Sequence, residues 1–279
     1  MRVILLNDDA LFMLAGDLNQ TVRSQSRKGD APWKKINDGK LNFQGRVKYI
    51  SQNYRNSEQI SRYLNGMLFY MNSKLSENNL INIDEFEYNI FGTGPSQNIA
   101  LEIQTQIPRM DICKKTVESI VEIANKYKIG YSEIAVLFPF KENRLLKYYL
   151  LFWITEELRN RGIEYSIIFG DGQGDEKKTF GKTNGVILST IDSSLGLDFK
   201  AVILSGLYPY EYVFSDSGKL KKVSSWTQLS KMSASEQENV KVQLRKIYTA
   251  CSRAREVLYV LSDIEAGSPF EDILGDRSR

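Results

Sequence analysis

The chain contains no histidine and only two cysteines, Cys113 and Cys251, which lie far apart. A histidine-based triad, a zinc site and a disulfide framework have little to build on, so any chemistry falls to carboxylates, arginines, lysines and hydroxyls. Side chains of those types gather at four places. "AGDLNQT" sets Asp17 and Gln20 behind Gly16, and "SQNYRN" carries Arg55 into a helix. "STIDSSLGLDF", residues 189–199, packs hydroxyls, acids and Gly196 between two apolar runs, and "RKIYTACSRARE" ends in Arg253 and Arg255. The first three follow apolar strands, and the carboxyl ends of strands are where open α/β sheets hold their ligands. Plainer roles exist as well: Gly16 and Gly196 suit ordinary turns, and cations closing a helix offset its dipole without any ligand.

The elements that must position these groups alternate. Short apolar runs predict strands at 11–15, 47–50, 86–91, 99–103, 134–138, 164–169, 186–188, 201–204 and 257–261. Helical spacing predicts helices at 57–71, 115–127, 143–161 and 234–254, the first opened by Ser57. Strands separated by helices of this length imply an α/β fold, a parallel sheet with helices on both faces. "STIDSSLGLDF" is expected to be a polar turn between two of its strands. The polar stretches 72–97, 170–184 and 208–235 read as connections, and the residues after Asp263 as peripheral.

With 279 residues, 42% hydrophobic and 25% charged, the composition is that of an ordinary globular protein. The net charge of +3 is small, so a nucleic-acid surface would have to come from local clustering. No apolar run approaches the about 20 residues that cross a bilayer. The opening "MRVILLNDDALFML" is broken by Asn7, Asp8 and Asp9 where a signal peptide keeps its apolar centre, and a cytoplasmic location is expected.

Taken in order, the stretches resemble the later motifs of superfamily 1 DNA helicases of the UvrD/PcrA/Rep type. "LFMLAGDLNQTV" is similar to the motif in which a strand ends in Gly-Asp and a following Gln senses the γ-phosphate. "YISQNYRNSEQI" resembles the Asn-Tyr-Arg-Ser motif, and "IAVLFPFKENRLLKYYLLFWITEELRNRGIEYSII" the strand, helix and strand that follow it. "STIDSSLGLDF" resembles Thr-x-His-x-x-Lys-Gly-Leu-Glu-Phe, and "RKIYTACSRARE" resembles Tyr-Val-Ala-x-Thr-Arg-Ala-Arg. The resemblance spans most of residues 11–261. It implies a RecA-like, P-loop NTPase fold of the second motor domain type. Residues 1–45 would be a remnant of the first RecA-like domain, 46–263 the second, and 264–279 a tail.

The resemblance also implies roles. Gln20, Arg55 and Arg253 would act on the γ-phosphate of ATP, since phosphoryl transfer depends on neutralising charge as it leaves. Tyr54, Gly196, Leu197 and Asp198 would lie against the nucleotide, with Asp198 in place of the family's Glu. Ser189, Thr190 and Asp192 would meet single-stranded DNA. ATP with Mg2+, single-stranded DNA and an N-terminal RecA-like domain are the implied cofactors and partners.

Several departures qualify that reading. A phosphate loop is absent, because "GKTNG" at 181–185 lacks the upstream glycine that the motif requires. "NDD" at 7–9 is a poor substitute for the magnesium-holding acids, so the chain is expected to begin part way through a helicase and not to hydrolyse ATP alone, and no metal site is expected within it. Only residues 170–184 stand where the family carries a large helical insertion. Asp192 and Leu195 replace the usual His and Lys, and Arg23 replaces a base-stacking aromatic worth about 1–3 kcal/mol per base. Trp33 could serve instead of that aromatic, or could anchor a surface loop. A non-catalytic nucleotide- or nucleic-acid-binding regulatory module derived from the same fold is the alternative reading.

Overall fold

Every residue of Ile134–Phe138 is fully buried. A strand apolar on both faces needs cover on both sides, which is the demand a parallel sheet makes. In the computed structural model, which describes residues 52–81, 91–168 and 184–275, that cover is present.

The strands are β1 (Gln52–Asn53), β2 (Phe91–Gly92), β3 (Ala100–Gln104), β4 (Ile134–Phe138), β5 (Tyr165–Ile168), β6 (Val186–Thr190), β7 (Phe199–Ser205), β8 (Tyr212–Phe214), β9 (Leu220–Lys222) and β10 (Ala254–Leu261). The helices are α1 (Glu58–Glu77), α2 (Ile112–Tyr127), α3 (Leu150–Asn160), α4 (Trp226–Ser230), α5 (Ala234–Cys251) and α6 (Pro269–Asp272). Six strands form the main sheet in the order β3-β10-β7-β4-β6-β5, every pair parallel. β1 and β2 form a short parallel pair, and β8 and β9 an antiparallel hairpin.

Side chains of the sheet alternate between two cores, as the two-residue period of a strand requires. Ala135, Leu137, Val202, Leu204, Leu258 and Val260 join the apolar faces of α1 and α5. Ile134, Val136, Phe138, Ala201, Ile203, Val257 and Tyr259 join those of α2 and α3. At about 1.5–3 kcal/mol for each large apolar side chain removed from water, these faces supply the main stabilisation.

The helices begin and end where local chemistry directs. Ser57 caps α1 by accepting from the Ile60 N–H, with Glu58 in the first turn. α1 outruns the expected end at 71 because Leu75 continues its buried stripe inside a polar-looking stretch. Ser233 and Glu236 form a reciprocal capping box at the start of α5. α3 starts at Leu150, not at 143: Asn143 Oδ1 accepts from the Leu146 N–H and Asn143 pairs with Tyr148, closing a turn instead of a helix.

Two expectations are corrected. The segment after Asp263 is not peripheral, since Ile264, Phe270, Ile273 and Leu274 are buried in the core of α1 and α5. Residues 191–198 are not a turn at one end of the sheet. β6 and β7 are parallel with β4 between them, so this segment runs from the carboxyl end of β6 to the amino end of β7. It is a strap along the sheet, with Ile191 fully buried beneath it.

Candidate functional site

The strap's own hydroxyls hold its shape. Thr190 Oγ1 accepts from the Ser193 N–H at 3.3 Å and donates to Ser193 Oγ at 2.8 Å. Ser194 Oγ donates to the Ile191 carbonyl at 2.7 Å, and Ser189 Oγ to the Thr190 carbonyl at 3.0 Å. The Ile191 N–H is anchored on the Phe138 carbonyl at 3.0 Å, and Asp192 meets Lys246 of α5 at 2.7 Å. The strap ends in Gly196, whose φ of +85° is one a side chain disfavours, with open space where a Cβ would stand.

Beyond Gly196 the strap meets two other segments. Arg253, only 2% exposed, donates from Nη1 to the Leu197 carbonyl at 3.3 Å and from Nε to the Thr249 carbonyl at 3.3 Å. The Phe199 N–H donates to the Arg253 carbonyl at 3.0 Å, where β7 and β10 begin. Arg255 and Asp198 face each other across 3.8 Å, both well exposed. The Arg55 segment packs here too: the Ser57 N–H donates to the Arg255 carbonyl at 2.9 Å, and Asn56 Nδ2 donates to the carbonyls of Ser252 and Ala254. Arg55 is half-buried, and Tyr54 is 70% exposed with its hydroxyl on Gln52 Oε1 at 2.7 Å.

The structure thus brings Tyr54, Arg55, Leu197, Asp198 and Arg253 together, at the amino ends of β7 and β10 and not at carboxyl ends as expected. Ser189, Thr190 and Asp192 lie at the opposite end of the strap. Gln20, with Gly16, Asp17, Arg23 and Trp33, lies outside the described residues, as do the acids at 7–9 and the GKT of 181–183. Arg253 is also not in the last turn of α5, which stops at Cys251, but leads into β10.

At the carboxyl end of the sheet a second polar group went unforeseen. Asp263, buried after β10, accepts from the Tyr148 hydroxyl at 2.5 Å and the Tyr208 N–H at 2.8 Å. Burial pushes its carboxyl above the ordinary value, while those two hydrogen bonds pull it back. Burial and then the charge of Asp263 hold the Tyr148 phenol well above its usual range. The Arg109 guanidinium stacks 3.4 Å from the Tyr208 ring centre, and the Tyr208 and Tyr212 hydroxyls are 2.9 Å apart. Glu211, fully buried, is pushed up to about 7, chiefly by burial, with Lys222 3.7 Å away opposing it. The signal was the run "LYPYEY" directly after an apolar strand, dense in aromatic and acidic side chains.

Near Thr190 on the same end, the 139–149 connection exposes Phe140 and Leu145 beside Lys141, Lys147 and Arg144, the last paired with Glu142 at 2.7 Å. Cations interleaved with apolar side chains suit a polyanion whose bases need a surface to lie on. At the amino end, the half-buried Arg55 and the exposed Arg255 suit a phosphate chain.

Among the described residues no group of three or more His, Cys, Asp or Glu could hold a metal ion. Nor, among those residues, is any helix long and apolar enough to cross a membrane.

No family model matches the chain, and no curated protein matches it. Among solved structures it is similar to the C-terminal domain of a possible DNA helicase from Lactobacillus plantarum WCFS1, at 14% identity and a TM-score of 0.42, covering 81% of this chain and 96% of that one.

Proposed function

We propose that this chain is the second motor domain of an ATP-dependent superfamily 1 DNA helicase or translocase. It offers arginines to an ATP held by a separate phosphate-loop domain, and single-stranded DNA lies on the opposite end of its sheet. The observation that carries this reading is the convergence of three sequence-distant segments, 54–57, 196–199 and 252–255, at the amino end of the sheet. Segments that resemble nucleotide-contacting motifs would be scattered if the resemblance were accidental.

In this reading Arg55 reaches out from its half-buried position to neutralise charge leaving the γ-phosphate. Tyr54 offers an exposed ring face to the base, and Asp198 a carboxylate to the sugar hydroxyls. Arg253 holds the Leu197 carbonyl and thereby fixes the turn beside the nucleotide. Thr190 and the cations of 139–149 take the DNA backbone. Bound ATP would supply the phosphoanhydride.

The test supplies a phosphate-loop domain, fused or in trans, and measures ATP turnover with and without single-stranded DNA. DNA-stimulated turnover that Arg55→Ala reduces by about two orders of magnitude is expected. Turnover unaffected by Arg55→Ala sinks the reading.

A second reading, a non-catalytic binding module, is favoured by one observation. The guanidinium of Arg253 is buried against main-chain carbonyls, so it stands ready for architecture more than for a phosphate. Binding of ATP or single-stranded DNA with no turnover in the assembled pair would select it.

A further inference from the structure

We infer that Asn56 is a positioning residue, whose side-chain amide clamps the Arg55 segment to the Arg253–Arg255 segment so that Arg55 is held in a fixed place beside it. The role assigned to Arg55 rests on the proposed function; the clamp itself does not.

Asn56 is 1% exposed and every polar atom of its side chain is used. Nδ2 donates to the Ser252 carbonyl at 3.0 Å and to the Ala254 carbonyl, on the two residues that flank Arg253. Oδ1 accepts from Asn53 Nδ2 at 2.5 Å, while Asn53 Oδ1 accepts the backbone N–H groups of Arg55 at 2.9 Å and Asn56 at 3.2 Å. Arg55 is thereby fixed between two anchored asparagines, and the Ser57 N–H on the Arg255 carbonyl closes the seam. From behind, the Gly94 N–H donates to the Asn56 carbonyl at 3.2 Å. A Cβ on Gly94 would stand 2.4 Å from that oxygen, so the glycine is what allows the close approach.

The start of β10 does not depend on this amide for its place in the sheet. The Phe199 N–H holds the Arg253 carbonyl, Ala254 pairs with Phe199 of β7, and from Val257 to Leu261 β10 pairs with both β3 and β7. Removing the amide should release residues 53–57 from the sheet edge and leave the sheet intact. A residue that only contributes to folding would loosen both together.

The test is amide hydrogen exchange on the full chain, comparing wild type with Asn56→Ala and the isosteric Asn56→Asp, whose ionised carboxylate cannot donate to two carbonyls. Exchange at Arg55, Asn56, Ser57 and Gly94 is expected to quicken by about tenfold or more in both variants, with Leu258–Val260 unchanged. Uniform quickening across the chain, no change at all, or wild-type behaviour in Asn56→Asp each overturns the clamp. A second measurement uses the chain assembled with its phosphate-loop domain. Asn56→Ala should lower kcat with the KM for ATP held within about twofold, and in a chain already carrying Arg55→Ala it should cause no further loss. Additive losses overturn the positioning role. Local quickening with turnover indifferent to Arg55→Ala keeps the clamp and removes the functional reading.

Discussion

Arg253 donates from its guanidinium to the main-chain carbonyl of Leu197 at 3.3 Å, joining two residues that the sequence separates by the whole of β7, the β8–β9 hairpin and α5. A cation this buried, with its donors on carbonyl oxygens, acts first on the shape of the edge and only then on any ligand. Each hydrogen bond from a charged donor contributes about 1.5–3 kcal/mol, so Arg253→Ala is expected to lower the unfolding free energy by at least that much. Urea denaturation measures it. An unchanged midpoint would mean the guanidinium is free to leave its carbonyls, and would restore it as a direct phosphate contact.

Arg255 and Asp198 predict the opposite behaviour. Their side chains are 47% and 41% exposed and 3.8 Å apart, and such pairs contribute about 0–1 kcal/mol. Asp198→Asn should leave the urea midpoint nearly unchanged while freeing Arg255 to meet an anion. A large loss of stability in Asp198→Asn would show that the pair holds the edge together.

The sheet was legible where apolar runs were short and bounded: Ile134–Phe138 matches its expected limits, and the strands ending at Leu204–Ser205 and Leu261 shift at most a few residues. The strap was misread because a polar segment between two strands looks the same whether it turns back or runs on. Only the position of β4 between β6 and β7 decides that. Asn56 escaped notice because an asparagine bonded to carbonyls almost 200 residues away leaves no local pattern. The motifs pointed to Arg55, Asp198 and Arg253, which the fold places close together, but their end of the sheet was not legible, since the polar group that marks a strand end looks alike at either one.

The closing segment was misjudged for its polar composition, and it carries a prediction of its own. Phe270 is fully buried against Tyr210, with ring centres 6.4 Å apart, and Ser268 caps the short α6 by accepting from the Phe270 N–H. Large-to-small changes at such sites cost about 3–5 kcal/mol, so Phe270→Ala should destabilise the whole domain and not just its end. Thermal melts with proteolysis at 25 °C check this; a clipped end on an otherwise unchanged core would count against it.

Glu211 gives a prediction in pH. It is fully buried, and burial raises its pKa from an ordinary 4.5 to about 7 against the opposing pull of Lys222. Between those values the folded protein keeps the proton that the unfolded chain has released. The folded state binds more protons there, so stability falls as pH rises from about 4.5 to about 7 and levels off above it. Glu211→Gln keeps the shape and removes the titration, so its stability should lose this slope and exceed that of the wild type most at pH 8. Urea midpoints at pH 5, 6, 7 and 8 for both proteins measure the difference. A difference that stays constant across the series would show that the Glu211 carboxyl titrates alike in the folded and unfolded chain, which would require water or Lys222 to reach it despite its burial.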